Sequence, residues 1–116
     1  MKTMDVSKDN AIEASTFLKT LANENRLMVL CHLAQGEKTV TELESLIGIR
    51  QPNVSQQLAR LRAEGLVKYR RKAKAVYYRL DSMEVIFVIQ LLYRLFCLRD
   101  KPSTITLTRE MAAAIS

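Results

Sequence analysis

Two sets of side chains in this sequence have types and spacings that can do chemistry. The first is the run Arg50-Gln-Pro-Asn-Val-Ser-Gln-Gln57 together with the cations that follow it. At 3.6 residues per turn, Asn53 and Gln56 share a helix face with Arg60, while Val54, Leu58 and Leu61 turn the other way. Short polar side chains at the N-terminal end of a helix can meet base edges in the DNA major groove. Asn and Gln pair bidentately with adenine, and Ser reaches bases or phosphates. Gln51, Asn53, Ser55 and Gln56 are therefore candidates for base contact, with Arg60 and Arg62 holding the backbone. Arg70, Arg71, Lys72 and Lys74 form a second cationic group that would meet flanking phosphates. Taken singly, each of these residues is ordinary solvated surface; their order along the chain gives them meaning.

The second set is a pair of thiols, Cys31 and Cys97. A thiolate is a nucleophile and a metal ligand. A free Cys is also among the most buried residue types and often serves as a small apolar side chain. Sixty-six residues separate the two, a distance that says nothing about proximity in space. The residues alone leave both readings open.

The elements that must position these groups follow from periodicity. Ala11, Ala14, Leu18 and Leu21 recur at helical spacing. Asn23 can cap a second helix that runs to Gly36, with an expected buried stripe of Leu27, Leu30, Cys31 and Ala34. Thr39-Val-Thr-Glu42 is a capping-box sequence opening a short helix that ends at Gly48. Pro52 suits the first turn of a fourth helix, which ends near Gly65. Two short helices joined by a tight glycine-containing turn make a helix-turn-helix. After Gly65 the period drops to two, so Val67–Arg71 and Ala75–Leu80 read as strands joined by the basic turn Lys72-Ala73-Lys74. Asp81-Ser-Met-Glu84 resembles a second capping box, and an apolar helix follows to about Leu98, with Cys97 expected on an Ile86, Ile89, Tyr93 stripe. The expected fold is mainly α with a small β-hairpin: a winged helix-turn-helix in the order α-α-α-α-β-β-α. Residues 1–10 are expected to be a flexible N-terminus, 11–98 the domain and 99–116 a C-terminal tail.

Charge agrees with this order. The net charge is +6, yet the window from Arg50 to Arg79 holds nine Lys or Arg residues and a single acid, Glu64. The cations thus coincide with the segment that would face nucleic acid. At 116 residues the chain fits one domain, and 48% hydrophobic with 26% charged residues marks a folded rather than a disordered protein. No run approaches the roughly 18 apolar residues that a membrane span needs, and the first residues lack a secretory h-region, so a cytoplasmic location is expected. Chemistry of an enzymatic kind is not supported. There is no glycine-rich phosphate loop, and the one histidine, His32, completes no nucleophile–base set.

The stretch from Val40-Thr-Glu-Leu through Val54-Ser-Gln-Gln-Leu-Ala-Arg-Leu-Arg-Ala-Glu-Gly-Leu-Val67 to Val76-Tyr-Tyr-Arg-Leu80 resembles the ArsR/SmtB family of prokaryotic repressors. The resemblance covers about residues 11–98. It implies a homodimer built on the first and last helices, bound to an imperfect inverted repeat in double-stranded operator DNA and released by an inducer. Many members of that family sense metals, but the residues argue otherwise. Lys38-Thr-Val-Thr-Glu-Leu43 has no thiol where one family site carries cysteines, and Met83 stands where another carries His beside Asp81. No cofactor and no metal site are expected. Cys31 in Leu27-Met-Val-Leu-Cys-His-Leu-Ala34 and Cys97 in Leu91-Leu-Tyr-Arg-Leu-Phe-Cys97 resemble a dithiol subgroup whose thiols react with persulfides or polysulfides and become linked through sulfur. Arg94 and Arg99 would then be candidates for a positive field near Cys97. The resemblance leaves two alternatives: a plain disulfide formed by peroxide or other oxidants, and a metal-independent constitutive DNA-binding or interaction module.

Overall fold

The computed structural model describes residues 7–48 and 51–98, the side chains of Gln51 and Pro52 excepted. The expectations for residues 1–6 and 99–116, for Arg50 and for the Gln51 side chain concern positions outside the described residues. Five α-helices and a hairpin follow in order: α1 (Lys8–Leu21), α2 (Glu24–Leu33), α3 (Val40–Ile47), α4 (Gln51–Ala63), β1 (Val67–Lys72), β2 (Ala75–Leu80) and α5 (Met83–Leu92). A π-helical turn, Tyr93–Cys97, continues α5. This is the expected winged helix-turn-helix order.

Local chemistry explains most boundaries. Asn23 accepts a hydrogen bond from the Arg26 amide at 3.0 Å and starts α2. At α3 the Thr39 hydroxyl accepts from the Glu42 amide, and the Glu42 carboxylate accepts from the Thr39 amide, so the capping box is complete. Gly48 closes α3 at φ +80°, a left-handed conformation that costs a side-chain-bearing residue roughly 1–2 kcal/mol.

Three boundaries differ from expectation. Helix α1 starts at Lys8 rather than Ala11, because Ser7 accepts from the Asn10 amide and adds a turn ahead of the first apolar position. At α5 the N-cap is Ser82, which accepts from the Val85 amide; Glu84 instead accepts from the Ser82 hydroxyl, so Asp81-Ser-Met-Glu84 is not a capping box. The last helix does not run regularly to Leu98, since its final turn widens into the π form.

The core gathers on α2 and α4. Val29, Leu30, Leu33, Leu43, Val54, Leu58 and Leu61 are all but fully buried, with Val67 and Val85 closing it from the hairpin and α5. The α2 stripe is rotated from the expected one. Val29, Leu30 and Leu33 face the core, Leu27 and Cys31 are half-buried, and Ala34 is exposed. The hairpin is antiparallel, pairing Val67 with Leu80 and Lys72 with Ala75. Lys38 adds a third-strand bridge that the sequence did not signal, exchanging backbone hydrogen bonds with Tyr78 at 3.1 and 2.8 Å.

One buried cation ties the helices together. Arg26 is only 8% exposed. Its Nε donates to the Thr20 carbonyl at 2.6 Å, and its terminal nitrogens donate to the Lys19 carbonyl and to Gln57 Oε1, each at 3.4 Å. The last carbonyls of a helix lack intrahelical partners and carry partial negative charge, so an arginine there is stabilised without a carboxylate. Arg26→Ala strands the Thr20 carbonyl in a buried place; the expected loss is about 2–3 kcal/mol, read as a lower urea midpoint at an unchanged m-value. An unaltered midpoint would refute this role.

Candidate nucleic-acid interface and thiol pair

Helix α4 separates its faces cleanly. Val54, Leu58 and Leu61 are wholly buried, so Asn53, Ser55, Gln56 and Arg60 are left exposed. Gln57 is half-buried and turned toward Arg26. Arg60 makes only a long 4.0 Å contact with Glu64 and stays available to solvent.

The hairpin stands beside the C-terminal end of α4. Its cations differ in freedom, which the sequence could not show. Arg70 is clamped by Glu37, through Nε at 2.7 Å and a terminal nitrogen at 2.8 Å, and its guanidinium also lies 5.4 Å from the Tyr77 ring centre. The Arg70 hydrogen bond holds the Glu37 carboxyl below the usual carboxylate range, and the same bond raises Arg70. Both groups are exposed, so solvent screens the pair and it contributes little to stability. Arg71, Lys72 and Lys74 are exposed and take part in no ion pair among the described residues. Ala73 adopts φ +56° at the tip, as a two-residue hairpin turn demands. Two further contacts brace the hairpin. Arg62 stacks 4.2 Å from the centre of the Tyr69 ring, and Tyr69 packs on Tyr78 with centroids 5.8 Å apart. Arg62, Lys68, Tyr69, Arg70 and Arg71 line one groove between α4 and β1. The Arg62–Tyr69 stack had no sequence signal beyond an aromatic alternating with basic residues.

The thiols stand on α2 and at the end of the π turn, Cys31 half-buried and Cys97 exposed. The Cys31 thiol is pushed above its ordinary value, first by burial and then by the charge of Cys97. The two sulfurs are thus within electrostatic reach of each other. The predicted stripe for Cys97 needs correction. Val85 and Ile89 are the buried positions of α5, whereas Ile86 is half-buried and Tyr93 is 52% exposed. An α-helical register cannot be extrapolated through a π turn, whose extra residue rotates everything after it. His32, next to Cys31, keeps its Nδ1 buried without a hydrogen-bond partner. Among the described residues no three potential metal ligands cluster, and no helix is long and apolar enough to cross a membrane.

Comparison with known proteins gives this geometry a family. Residues 23–69 match the model of the arsR family of bacterial regulatory proteins. The chain is 51% identical over 87 residues to the biofilm growth-associated repressor of Agrobacterium fabrum, an alignment that spans 75% of this chain and 74% of that protein. Among solved structures, reduced HlyU from Vibrio cholerae superposes with a TM-score of 0.74 at 46% identity, covering 78% of this chain and 95% of that one. The transcriptional repressor BigR from Xylella fastidiosa gives a TM-score of 0.72 at 44% identity, over 81% and 93% of the two chains. The stretch that matches the family model contains the capped α3, the buried stripe of α4 and the first residues of the hairpin. This chain belongs to the ArsR family of bacterial regulatory proteins, DNA-binding winged-helix regulators rather than enzymes.

Proposed function

We propose that the protein is a homodimeric transcriptional repressor that binds an imperfect inverted repeat and lets go when Cys31 and Cys97 become linked through sulfur. The observation that carries the reading is the placement of half-buried Cys31 on α2, in the seam against the end of α5, within electrostatic reach of exposed Cys97 at the end of the π turn. Helix α2 also packs on α4, so a bond that fixes α2 against α5 acts on the element that presents Asn53, Ser55 and Gln56. A relative with half its aligned residues identical is named a repressor, and another has been solved in a form described as reduced.

In this reading the N-terminal half of α4 enters the major groove. Gln51, Asn53, Ser55 and Gln56 read bases there, Arg60 holds phosphate, and the hairpin lays Arg71, Lys72 and Lys74 against the flanking backbone. Arg70 contributes less, being neutralised by Glu37. A second copy covers the apolar residues left outside: Ile12 and Leu18 on α1, and Met83, Phe87 and Leu91 at four-residue spacing on α5. Phe87 is 61% exposed, a poor state for a phenylalanine in water. A two-fold dimer then sets two α4 helices against the two halves of the repeat.

The chemistry balances with an organic polysulfide as both sulfur donor and oxidant. The exposed Cys97 thiolate attacks the central sulfur of R–S–S–S–R and expels one thiolate R–S⁻. Cys31 then attacks that same sulfur and expels the second. Two cysteine thiols become a Cys–S–S–S–Cys bridge, and the trisulfide leaves as two R–SH. Consumption of Cys97 in the first step removes the negative charge that had raised Cys31, so the first step eases ionisation of the second nucleophile. A peroxide would give a plain disulfide instead, which mass spectrometry distinguishes by the missing sulfur.

Three measurements test the reading. In fluorescence anisotropy with promoter DNA, Gln56→Ala is expected to cost about 1–3 kcal/mol on the operator and nothing on random DNA, whereas Lys72→Gln weakens both and flattens the salt dependence by about one counterion. Equal losses on both DNAs for Gln56→Ala would remove α4 as the reader. Cys31→Ser and Cys97→Ser are expected to bind the operator as wild type does and to stay bound in organic trisulfide; release of either variant would sink the switch. Cys31 lies above the ordinary thiol value, so its alkylation should accelerate with pH through a range displaced upward. In Cys97→Ser that range should move down, yet not to the ordinary value, because burial remains. An unmoved profile would mean that the thiols do not interact.

A further inference from the structure

A cavity of about 330 Å³ lies against Cys31. Cys31 of α2 with Ala34 and Gln35 just beyond its end form one wall; Ile89 and Gln90 of α5 and Arg94 of the π turn help to form the other. Its size sits at the lower end of the range of small-molecule sites, roughly 300–1,000 Å³, and its character matches them: an apolar body with a few polar groups. Ala34, exposed and carrying only a methyl group, lines the opening without filling it. Arg94 brings a positive charge to this place and belongs to none of the ion pairs among the described residues.

We propose that this cavity is the docking site for the organic part of the sulfur donor, and that Arg94 selects donors bearing a carboxylate. The inference rests on the thiol-switch reading above and specifies its substrate. When Cys31 attacks the sulfur already bound to Cys97, the R–S group leaves in line, on the far side of that sulfur from Cys31, and so lies across the cavity against the wall that carries Ile89, Gln90 and Arg94. An alkyl chain there meets Ile89 and Ala34, amide or ammonium groups meet Gln35 and Gln90, and a carboxylate meets the unpaired guanidinium. The same bonds break and form as before, two cysteine thiols being oxidised and the trisulfide reduced to two thiols. Arg94 is a positioning residue: it touches the remote end of R, never the reacting sulfurs. Without such a site an inorganic polysulfide or a neutral organic trisulfide would serve equally well.

The test uses the full chain and two probes, bis-glutathionyl trisulfide, which carries carboxylates, and the neutral bis(2-hydroxyethyl) trisulfide. The rate of Cys31–Cys97 linkage is followed by mass spectrometry over a range of probe concentration. With wild type, the anionic probe is expected to saturate. Arg94→Gln should lower its rate at subsaturating concentration about tenfold, the size of one charge-assisted contact, while the neutral probe changes less than twofold. Lys19→Gln, an equal loss of net charge on α1, should leave both probes unaffected, and Arg94→Lys should recover part of the selectivity. Equal effects of Arg94→Gln on the two probes, or an equal effect of Lys19→Gln on the anionic probe, would overturn the pocket and leave the switch intact. Linkage with neither probe would overturn both.

Discussion

The structure depends on a single helical stripe. Helix α4 presses Val54, Leu58 and Leu61 into a core built from α2, α3 and the start of β1, and none of the three keeps any exposure. A helix anchored on one side through its length has no freedom to choose what it shows on the other. Asn53, Ser55, Gln56 and Arg60 are outward because the leucines and valine are inward. A one-residue slip of that stripe would rotate the polar face by about 100° and bury polar groups without partners. The burial that stabilises the domain and the orientation of the face proposed to read DNA are therefore one constraint.

Around that helix, cations are sorted by their neighbours rather than by their number. Arg26 is withdrawn from solvent and held by the carbonyl end of α1. Arg70 is neutralised by Glu37, and Arg62 lies flat on Tyr69, so both shape the hairpin more than its field. Arg71, Lys72 and Lys74 remain free at the tip. A net charge of +6 thus overstates what one end of the domain is short of and understates how local the available field is. Long-range attraction to a polyanion comes from the free cations, and its strength falls with salt.

Cys31 lies in the seam where α2 meets the end of α5, and Cys97 ends the π turn that continues α5. Helix α2 packs against both α4 and α5, so it links the core beneath the polar face to the seam. The π turn at Tyr93–Cys97 loosens the regular ladder at that point. An irregular helix end beside a half-buried nucleophile and a small cavity is a place where a covalent bond can shift packing at modest cost, because interfaces between packed elements take discrete arrangements.

By itself the sequence determined most of what depends on local backbone chemistry and simple period. It held the capped starts of α2 and α3, the Gly48 stop, the buried stripe of α4, the two strands and the basic segment, because caps, turns and amphipathic periods act over three or four residues. Its capping-box reading of Asp81–Glu84 erred by one position, since two adjacent capping residues compete and only packing chooses between them. The true face of α2 was illegible because that helix is apolar on nearly all sides, and its contacts with α1, α4 and α5 decide which side is core. Contacts between distant positions were equally silent: Arg26 with Gln57, Arg70 with Glu37, Lys38 with Tyr78. Tertiary structure alone brought Cys31 and Cys97 within electrostatic reach of each other. Sixty-six residues of chain give no bound on a distance, and only the packing of α2 against the end of α5 brings the two thiols and the cavity beside them to one place.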